Sequence, residues 1–236
     1  MTLAIDVFWS FRSPYSYLAT PRLVRLAAEY DLEVRVRVVL PIAVRIPGFF
    51  DTVNPLWPPY LVRDTLRIAE YERIPYGWPR PDPIVQDLST REVAAEQPYI
   101  HRLSRLGVAA AERGRGLPFI AQVSRVIWGG DVDGWHEGTH LAEAAARAGC
   151  DLRQLDAAIA ADPARYDAVI AENQRALEAA GHWGVPTMVF AGEPFFGQDR
   201  IDLLVWRMKQ HGLRARSAPQ SPFDALHARS SAREAS

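Results

Sequence analysis

Two stretches of strict alternation bracket a helical pattern near the start of this chain. That order restricts the fold more than any other feature. Ile5, Val7, Trp9 and Phe11 recur at every second position, as do Val34, Val36, Val38 and Leu40. A period of two places one face of an extended strand against a core. Between them Leu18, Leu23, Leu26 and Ala27 fit the helical period. A strand, a helix and a second strand in this order form a β-α-β unit with parallel strands and a right-handed crossover. The chain is therefore expected to be α/β.

The junction of the first strand and the helix reads Ser13-Pro14-Tyr15-Ser16. Proline is pre-set for the first helical position, and the serine before it can cap orphan amides. Such a terminus carries partial positive charge and favours an anion. The two serines also keep the spacing of a Cys-x-x-Cys redox motif, with oxygen in place of each sulfur. They cannot form a disulfide, but a hydroxyl there can hydrogen-bond a thiolate carried by a small molecule. Ser-Pro is also a common helix start without chemistry, so a second signal is needed.

That signal is Gly184-Val185-Pro186-Thr187, followed by an apolar strand Met188-Val189-Phe190, a Gly192-Glu193 turn and a short strand Pro194-Phe195-Phe196. Val185-Pro186 is a candidate cis peptide, since only X-Pro bonds reach that form cheaply. A cis bond would expose the Val185 backbone to an extended peptide; the alternative is a trans proline that merely ends the preceding helix. Gly197-Gln198-Asp199-Arg200 then leads into an amphipathic run with Ile201, Leu204, Val205 and Met208 on one face. Asp199 is expected as a helix cap or first-turn acid, and as a partner for a ligand ammonium group.

Composition narrows the classes of function. Hydrophobic residues make up 48% of the 236, charged residues 23%, and the net charge is −1. Such a chain can bury a substantial core, and it lacks the basic excess of a nucleic-acid binder. The first ten residues have no basic start and include Asp6, so no signal peptide is expected. No apolar run approaches the length needed to cross a bilayer. Cys150 is the only cysteine. No internal disulfide can form, and a reducing cytoplasm is the expected setting. Cys150 itself reads as a packing or surface-loop residue.

Residues 41–59 are rich in proline and aromatics and read as a covering loop. Helices are expected over residues 61–71, 91–113, 118–128, 135–148 and 165–180. One competing motif falls among them: His136-Glu137-Gly138-Thr139-His140 satisfies H-E-x-x-H, with Glu137 as general base. The turn residues Asp131 to Gly134 put it at a helix start, Gly138 weakens the helix, and no third ligand is obvious beyond Glu143 or Glu172. No metal is expected.

Taken together, the segment from Phe11 to Ala19, Asn54-Pro55, residues 60–67, Gly184 to Thr187 and Phe196 to Arg200 resemble a known family. It is the DsbA-like thioredoxin superfamily, and within it 2-hydroxychromene-2-carboxylate isomerase and the kappa-class glutathione transferases. The resemblance spans about residues 3–212. It implies a thioredoxin-like sheet, residues 1–59 and 181–212, with a large inserted all-helical domain at 60–180. Residues 213–236, rich in Ser, Ala and Arg, are expected to be a disordered tail.

The resemblance further implies glutathione as cofactor and a small aromatic substrate, with neither nucleic acid nor membrane as partner; it leaves a homodimer open. Ser13 would stabilise the glutathione thiolate as the catalytic residue. Val185 and Pro186 would hold its cysteinyl part, Gln198 and Asp199 its γ-glutamyl end, with Asn54 and Trp183 as further contacts. Tyr15 and Trp57, with Phe49 and Phe50, would line an aromatic acceptor site or simply pack the loop. Arg45 would pair with a substrate carboxylate unless it is only a solvated loop residue. Many members carry a lysine before the helix at Tyr60, whereas Asn54 to Pro59 here contains none. Three readings follow: a glutathione-dependent cis-trans isomerase, a conjugating transferase, and a non-catalytic thioredoxin-like binding protein.

Overall fold

In the computed structural model, which describes residues 2–87, 90 and 92–216, the two alternating segments form strands β1 (Leu3–Trp9) and β2 (Leu32–Val38). They pair in parallel, Leu3 opposite Leu32 and Trp9 opposite Val38. Helix α1 (Pro14–Glu29) makes the connection, with Pro14 at its first turn and Tyr17, Leu18, Leu23 and Leu26 on its buried face. On the other side of β1 lies β3 (Thr187–Phe190), antiparallel to it, and β4 (Glu193–Phe196) is antiparallel to β3. The sheet order is β2-β1-β3-β4. This mixed sheet with a helical insertion is the expected α/β class.

Between β2 and β3 run eight of the helices. They are α2 (Ile42–Arg45), α3 (Phe49–Thr52), α4 (Trp57–Glu72), α5 (Ile100–Glu112), α6 (Gly116–Trp128), α7 (His140–Arg147), α8 (Leu152–Ala161) and α9 (Pro163–Ala179). After β4 a short 3-10 turn (Gln198–Arg200) leads into α10 (Ile201–Gln210), which buries Ile201, Leu204 and Met208 as its pattern predicts.

Several boundaries differ from the sequence expectation, each for a local reason. The covering loop at 41–59 contains α2 and α3, and α4 starts at Trp57 because Pro58 and Pro59 fall in its first turn, where proline is tolerated. Helix α5 begins at Ile100 rather than residue 91. Ahead of it Gln97 bonds the Val85 backbone at 2.8 and 3.0 Å, holding an extended pairing of Val85 with Ala94. Arg91, the expected first residue of that helix, lies outside the described residues. Helix α8 lies outside the expected helices; Asp151 caps it through the Arg153 and Gln154 amides. Gly134 and Gly138, at φ of +65° and +57°, keep residues 135–139 out of α7. H-E-x-x-H is thereby split, His136 lying in a turn and His140 starting the helix. Among the described residues no group of three or more metal-binding side chains gathers.

The first residues after Gly212 are tied to the body. Arg214 C=O accepts from Asp31 N–H at 2.9 Å, Arg216 N–H donates to Glu29 C=O at 2.7 Å, and Ala215 bridges Tyr30. The rest of the expected tail, 217–236, lies outside the described residues. No described helix is long and apolar enough to cross a membrane.

One hydrophobic core runs from Ile5 to Met208 and includes the inner faces of α1, α5, α6 and α9. Trp128 is its pivot. This ring of α6 has no exposed surface, and its indole N–H donates to the Phe11 carbonyl at 2.8 Å. Tyr17, Tyr76 and Trp78 surround it at 5.4 to 6.4 Å between ring centroids. On the strand side, Trp9 donates to the Ser16 carbonyl and the Thr20 hydroxyl, both at 3.0 Å. The corner from β1 into α1 is thus pinned from two directions.

Trp128→Phe leaves the buried Phe11 carbonyl unpaired, which costs about 1–3 kcal/mol. Urea denaturation should show the lower stability, and an unchanged midpoint would refute the pinning role. A second prediction concerns alkali. Burial, above all, raises the phenols of Tyr15, Tyr17 and Tyr76, with Tyr17 pushed up to about 12. Above about pH 10 an unfolded chain releases phenolic protons that the folded chain retains, so stability falls as pH rises. Burial also draws Arg45 down to about 10, which acts the opposite way, one group against three. The urea midpoint should therefore drop between about pH 10 and 12 as phenolate absorbance appears.

Candidate functional site

The corner pinned by Trp9 and Trp128 presents Ser13. Its side chain caps α1, with Oγ accepting from Ser16 N–H at 3.2 Å, and the same oxygen donates to the Val185 carbonyl at 3.3 Å. The Val185–Pro186 bond is cis, as its sequence context suggests. Pro14 has no N–H, and Tyr17 N–H is bonded to Ser13 C=O. Among the described residues the Tyr15 N–H meets no acceptor. The helix start therefore meets the Val185 loop through the Ser13 hydroxyl, at the positive end of a 16-residue dipole. The second serine of the motif takes no part: Ser16 is fully buried and its hydroxyl has no partner.

The loop before Pro186 is shaped by two close approaches. Gly184 passes under the Phe196 ring, where a Cβ would stand 2.6 Å from a ring carbon. Its N–H donates to His182 Nδ1 at 2.9 Å, and the His182 ring stacks on Phe196 at 4.0 Å. Burial pulls the His182 imidazole below its ordinary value. His182 is not among the expected site residues, and its one sequence signal is a ring two residues before a glycine, beside a tryptophan. Trp183 is half exposed and lies 6.2 Å from Phe49, which in turn meets Trp57 at 6.3 Å. The covering segment thus folds its aromatics against the Trp183 loop.

Arg45 reaches the same loop. Its Nη2 donates to the Trp183 carbonyl. Rather than the solvated residue that a loop position suggests, it is half-buried, and among the described residues its Nε and Nη1 have neither accessible surface nor a partner. Ser13 and Arg45 therefore hold carbonyls two residues apart, at most about 7 Å along the chain.

Other expected site residues are engaged elsewhere. Tyr15 donates its hydroxyl to Asp64 of α4 at 2.8 Å, so only its ring is available. Asn54 forms a turn, its Oδ1 accepting from Leu56 N–H at 2.9 Å. Asp199 pairs with Arg200 at 2.6 Å, and Gln198 offers its carbonyl to Arg22 at 2.9 Å. Gly197 N–H bonds the Pro186 carbonyl at 2.9 Å, which sets Gln198 and Asp199 just beyond the proline. At Gly197, φ is +104° and a Cβ would meet Asp199 Oδ1 at 2.6 Å, so the turn requires glycine. Arg12, next to the cap, is held by Asp82 through two bonds of 3.1 and 2.9 Å and lies over Trp78. That pair orients the corner from the side of the helical block.

Known proteins share the fold that holds this corner. A model of the DSBA-like thioredoxin domain matches residues 4–209. The chain is 27% identical over 212 residues to a 2-hydroxychromene-2-carboxylate isomerase of Pseudomonas sp. strain C18, covering 86% of this chain and 89% of that one. It is 25% identical over 209 residues to a protein of the same name from Pseudomonas putida, covering 86% and 92%. A solved selenomethionine structure of 2-hydroxychromene-2-carboxylate isomerase superposes with a TM-score of 0.66 at 22% identity, over 88% of this chain and 95% of that one. That last likeness is one of fold.

Ser13→Ala removes both the cap and the tether to Val185. A stability loss of about 1 kcal/mol is expected in denaturant, with the fold retained by circular dichroism. A variant as stable as the parent would show that the cap contributes nothing.

Proposed function

The chain belongs to the DsbA-like thioredoxin domain family, and from that premise we propose that it is a glutathione-dependent cis-trans isomerase of a conjugated aromatic acid, akin to 2-hydroxychromene-2-carboxylate isomerase. The observation that carries the reading is the Ser13 hydroxyl, held at a helix N-terminus against the Val185 carbonyl. The two relatives that bear that name along most of the chain support it. Internal disulfide cycling does not suit a chain whose one cysteine is Cys150.

The residues at the corner fit a thiol-bearing tripeptide. A free thiol, with a pKa of about 8.5, is mostly protonated at neutral pH. A hydroxyl donor and an open amide at a helix N-terminus favour the ionised form. Ser13 would turn its hydroxyl from Val185 toward the sulfur and act as a donor. Nothing equips it as a nucleophile, since no histidine is hydrogen-bonded to it. Val185, released from Ser13 and held by Pro186, would pair its backbone with the cysteinyl residue. Gln198 and Asp199 would take the γ-glutamyl end, Asp199 exchanging Arg200 for the ligand ammonium. Asn54 and Trp183 would flank the tripeptide. When bound, glutathione would supply a thiolate able to add to and leave a conjugated double bond, so that the bond can rotate in between. On the substrate side, the rings of Tyr15 and Trp57 would bound an aromatic body and Arg45 would meet its carboxylate.

Ultraviolet difference titration of the bound thiol tests the assignment. The wild-type protein should ionise glutathione at a pH well below that of the free thiol, and Ser13→Ala should return it by about one unit, a tenfold effect. Equal ionisation in the two proteins would overturn the role of Ser13, and no thiolate with wild type would overturn the cofactor. Aromatic 2-oxo acids with an adjacent double bond should isomerise only when glutathione is added and should leave it unconsumed. Accumulation of an adduct would instead identify a conjugating transferase.

A further inference from the structure

All four carbonyls from Trp183 to Pro186, in the loop between α9 and β3, are taken. Trp183 C=O accepts from Arg45, Gly184 C=O from the Thr187 hydroxyl at 2.7 Å, Val185 C=O from Ser13, and Pro186 C=O from Gly197 N–H. Among the described residues the Val185 N–H meets no acceptor. Gly184 is the weak point of this arrangement. Its missing Cβ lets it pass under Phe196, where a Cβ would stand 2.6 Å from the Phe196 ring and 3.1 Å from His182 Cε1. The same absence leaves its backbone torsions freer than those of other residues. The two peptide planes that meet at Gly184 therefore need holding from outside. The plane before it is held at both edges, by Arg45 on the Trp183 carbonyl and by His182 Nδ1, which accepts from Gly184 N–H at 2.9 Å. The plane after it carries the Val185 N–H.

His182 is itself fixed in place. Its own N–H bonds the Leu177 carbonyl of α9 at 3.3 Å. Its ring stacks on Phe196 of β4 at 4.0 Å and 22°, and on Trp183 at 5.5 Å and 15°. A ring nitrogen that accepts carries no proton, so the bond from Gly184 requires the neutral ring with its proton on Nε2. A protonated ring has N–H at both positions and sets a donor against the Gly184 donor. Burial draws the imidazole below the ordinary histidine range, so the neutral form prevails at neutral pH. Charged groups on the surrounding elements have partners of their own. Glu178 of α9 accepts from Gln174 at 2.9 Å, Glu193 of β4 pairs with Arg207 at 2.9 Å, and Asp199 pairs with Arg200 at 2.6 Å. No described charge acts on the ring, which burial and the Gly184 backbone govern.

We propose that His182 is a positioning residue of the candidate site: its neutral ring fixes Gly184 and thereby aims the Val185 N–H, so that the loop offers an aligned backbone to a peptide ligand, and protonation of the ring releases that hold. His182 touches neither thiol nor acceptor in this role and acts through Gly184. The identity of the peptide rests on the glutathione reading; the hold on the loop does not.

S-methylglutathione has no thiol to ionise, so its binding reports on the loop without the thiolate contact of Ser13. Calorimetry should show its affinity for the wild-type protein falling roughly fivefold from about pH 7.5 to about pH 5, the size of one neutral hydrogen bond. His182→Asn sets an amide oxygen near the place of Nδ1 and does not titrate. It should bind as the wild type does near neutrality and keep that affinity in acid. His182→Phe keeps a ring to stack on Phe196 but has no acceptor, and should bind at the weakened level throughout. A phenylalanine variant that matches the wild type at both ends of the range would overturn the role, as would an asparagine variant that still weakens in acid. In the ligand-free wild type, the Gly184 amide proton resonance should follow the titration of the His182 ring, a readout that needs no variant to fold. A ring that titrates while Gly184 stays unmoved would overturn the role whatever binds. If S-methylglutathione binds at no pH while Gly184 follows the ring, the glutathione reading falls and the hold on the loop stands.

Discussion

The bond from the Trp128 indole to the Phe11 carbonyl is the constraint around which the molecule is organised. Phe11 lies just past the end of β1, where the chain leaves the sheet and its backbone groups lose their ladder partners. A carbonyl buried there needs a donor. Trp128 supplies it from the last residue of α6, and its ring fills the space among Tyr17, Tyr76 and Trp78. The helical block is thereby fastened to the turn that carries Ser13. Sheet and helices share one core as a consequence, and the functional corner inherits the rigidity of both.

From that corner the electrostatics of the molecule divide. On one side, the α1 terminus offers a hydroxyl and an amide to an anion, with its charge spread over a helix dipole. On the other, the half-buried Arg45 gives one donor to the Trp183 carbonyl. Both sides hold carbonyls of the same short loop, Trp183 and Val185. The proposed thiol and carboxylate contacts rest on these two environments. A soft, polarisable sulfur suits hydroxyl and amide donors, and a planar carboxylate suits a guanidinium fork. The aromatic bridge from Trp57 through Phe49 to Trp183 packs the covering segment against the same loop.

Much of this was legible without coordinates where the signal was local. Alternation marked β1 and β2, and Ser13-Pro14 marked the helix start. Val185-Pro186 marked a turn whose cis or trans form the sequence left open and the structure shows as cis, and the spacing of Ile201, Leu204 and Met208 marked α10. Legibility failed where one glycine or one side chain overrides a periodic pattern. Gly134 and Gly138 take left-handed conformations that end an apparent helix, and Gln97 holds an extended pairing where the pattern reads helical. The two one-turn helices in the proline-rich segment were equally hidden, because four residues carry too little periodicity to be seen.

What the sequence determined by itself was the α/β order, the capped helix start with its serine, and the exclusion of an internal disulfide by a single cysteine. These are properties of nearest neighbours and of counting. Tertiary structure alone decided that Ser16 is sealed inside, that Tyr15 is bound to Asp64, and that Arg45 is half-buried against the Trp183 carbonyl. Each of those outcomes depends on which distant helix packs over a side chain, and burial is what turns a hydroxyl or a guanidinium from a solvated group into a poised donor.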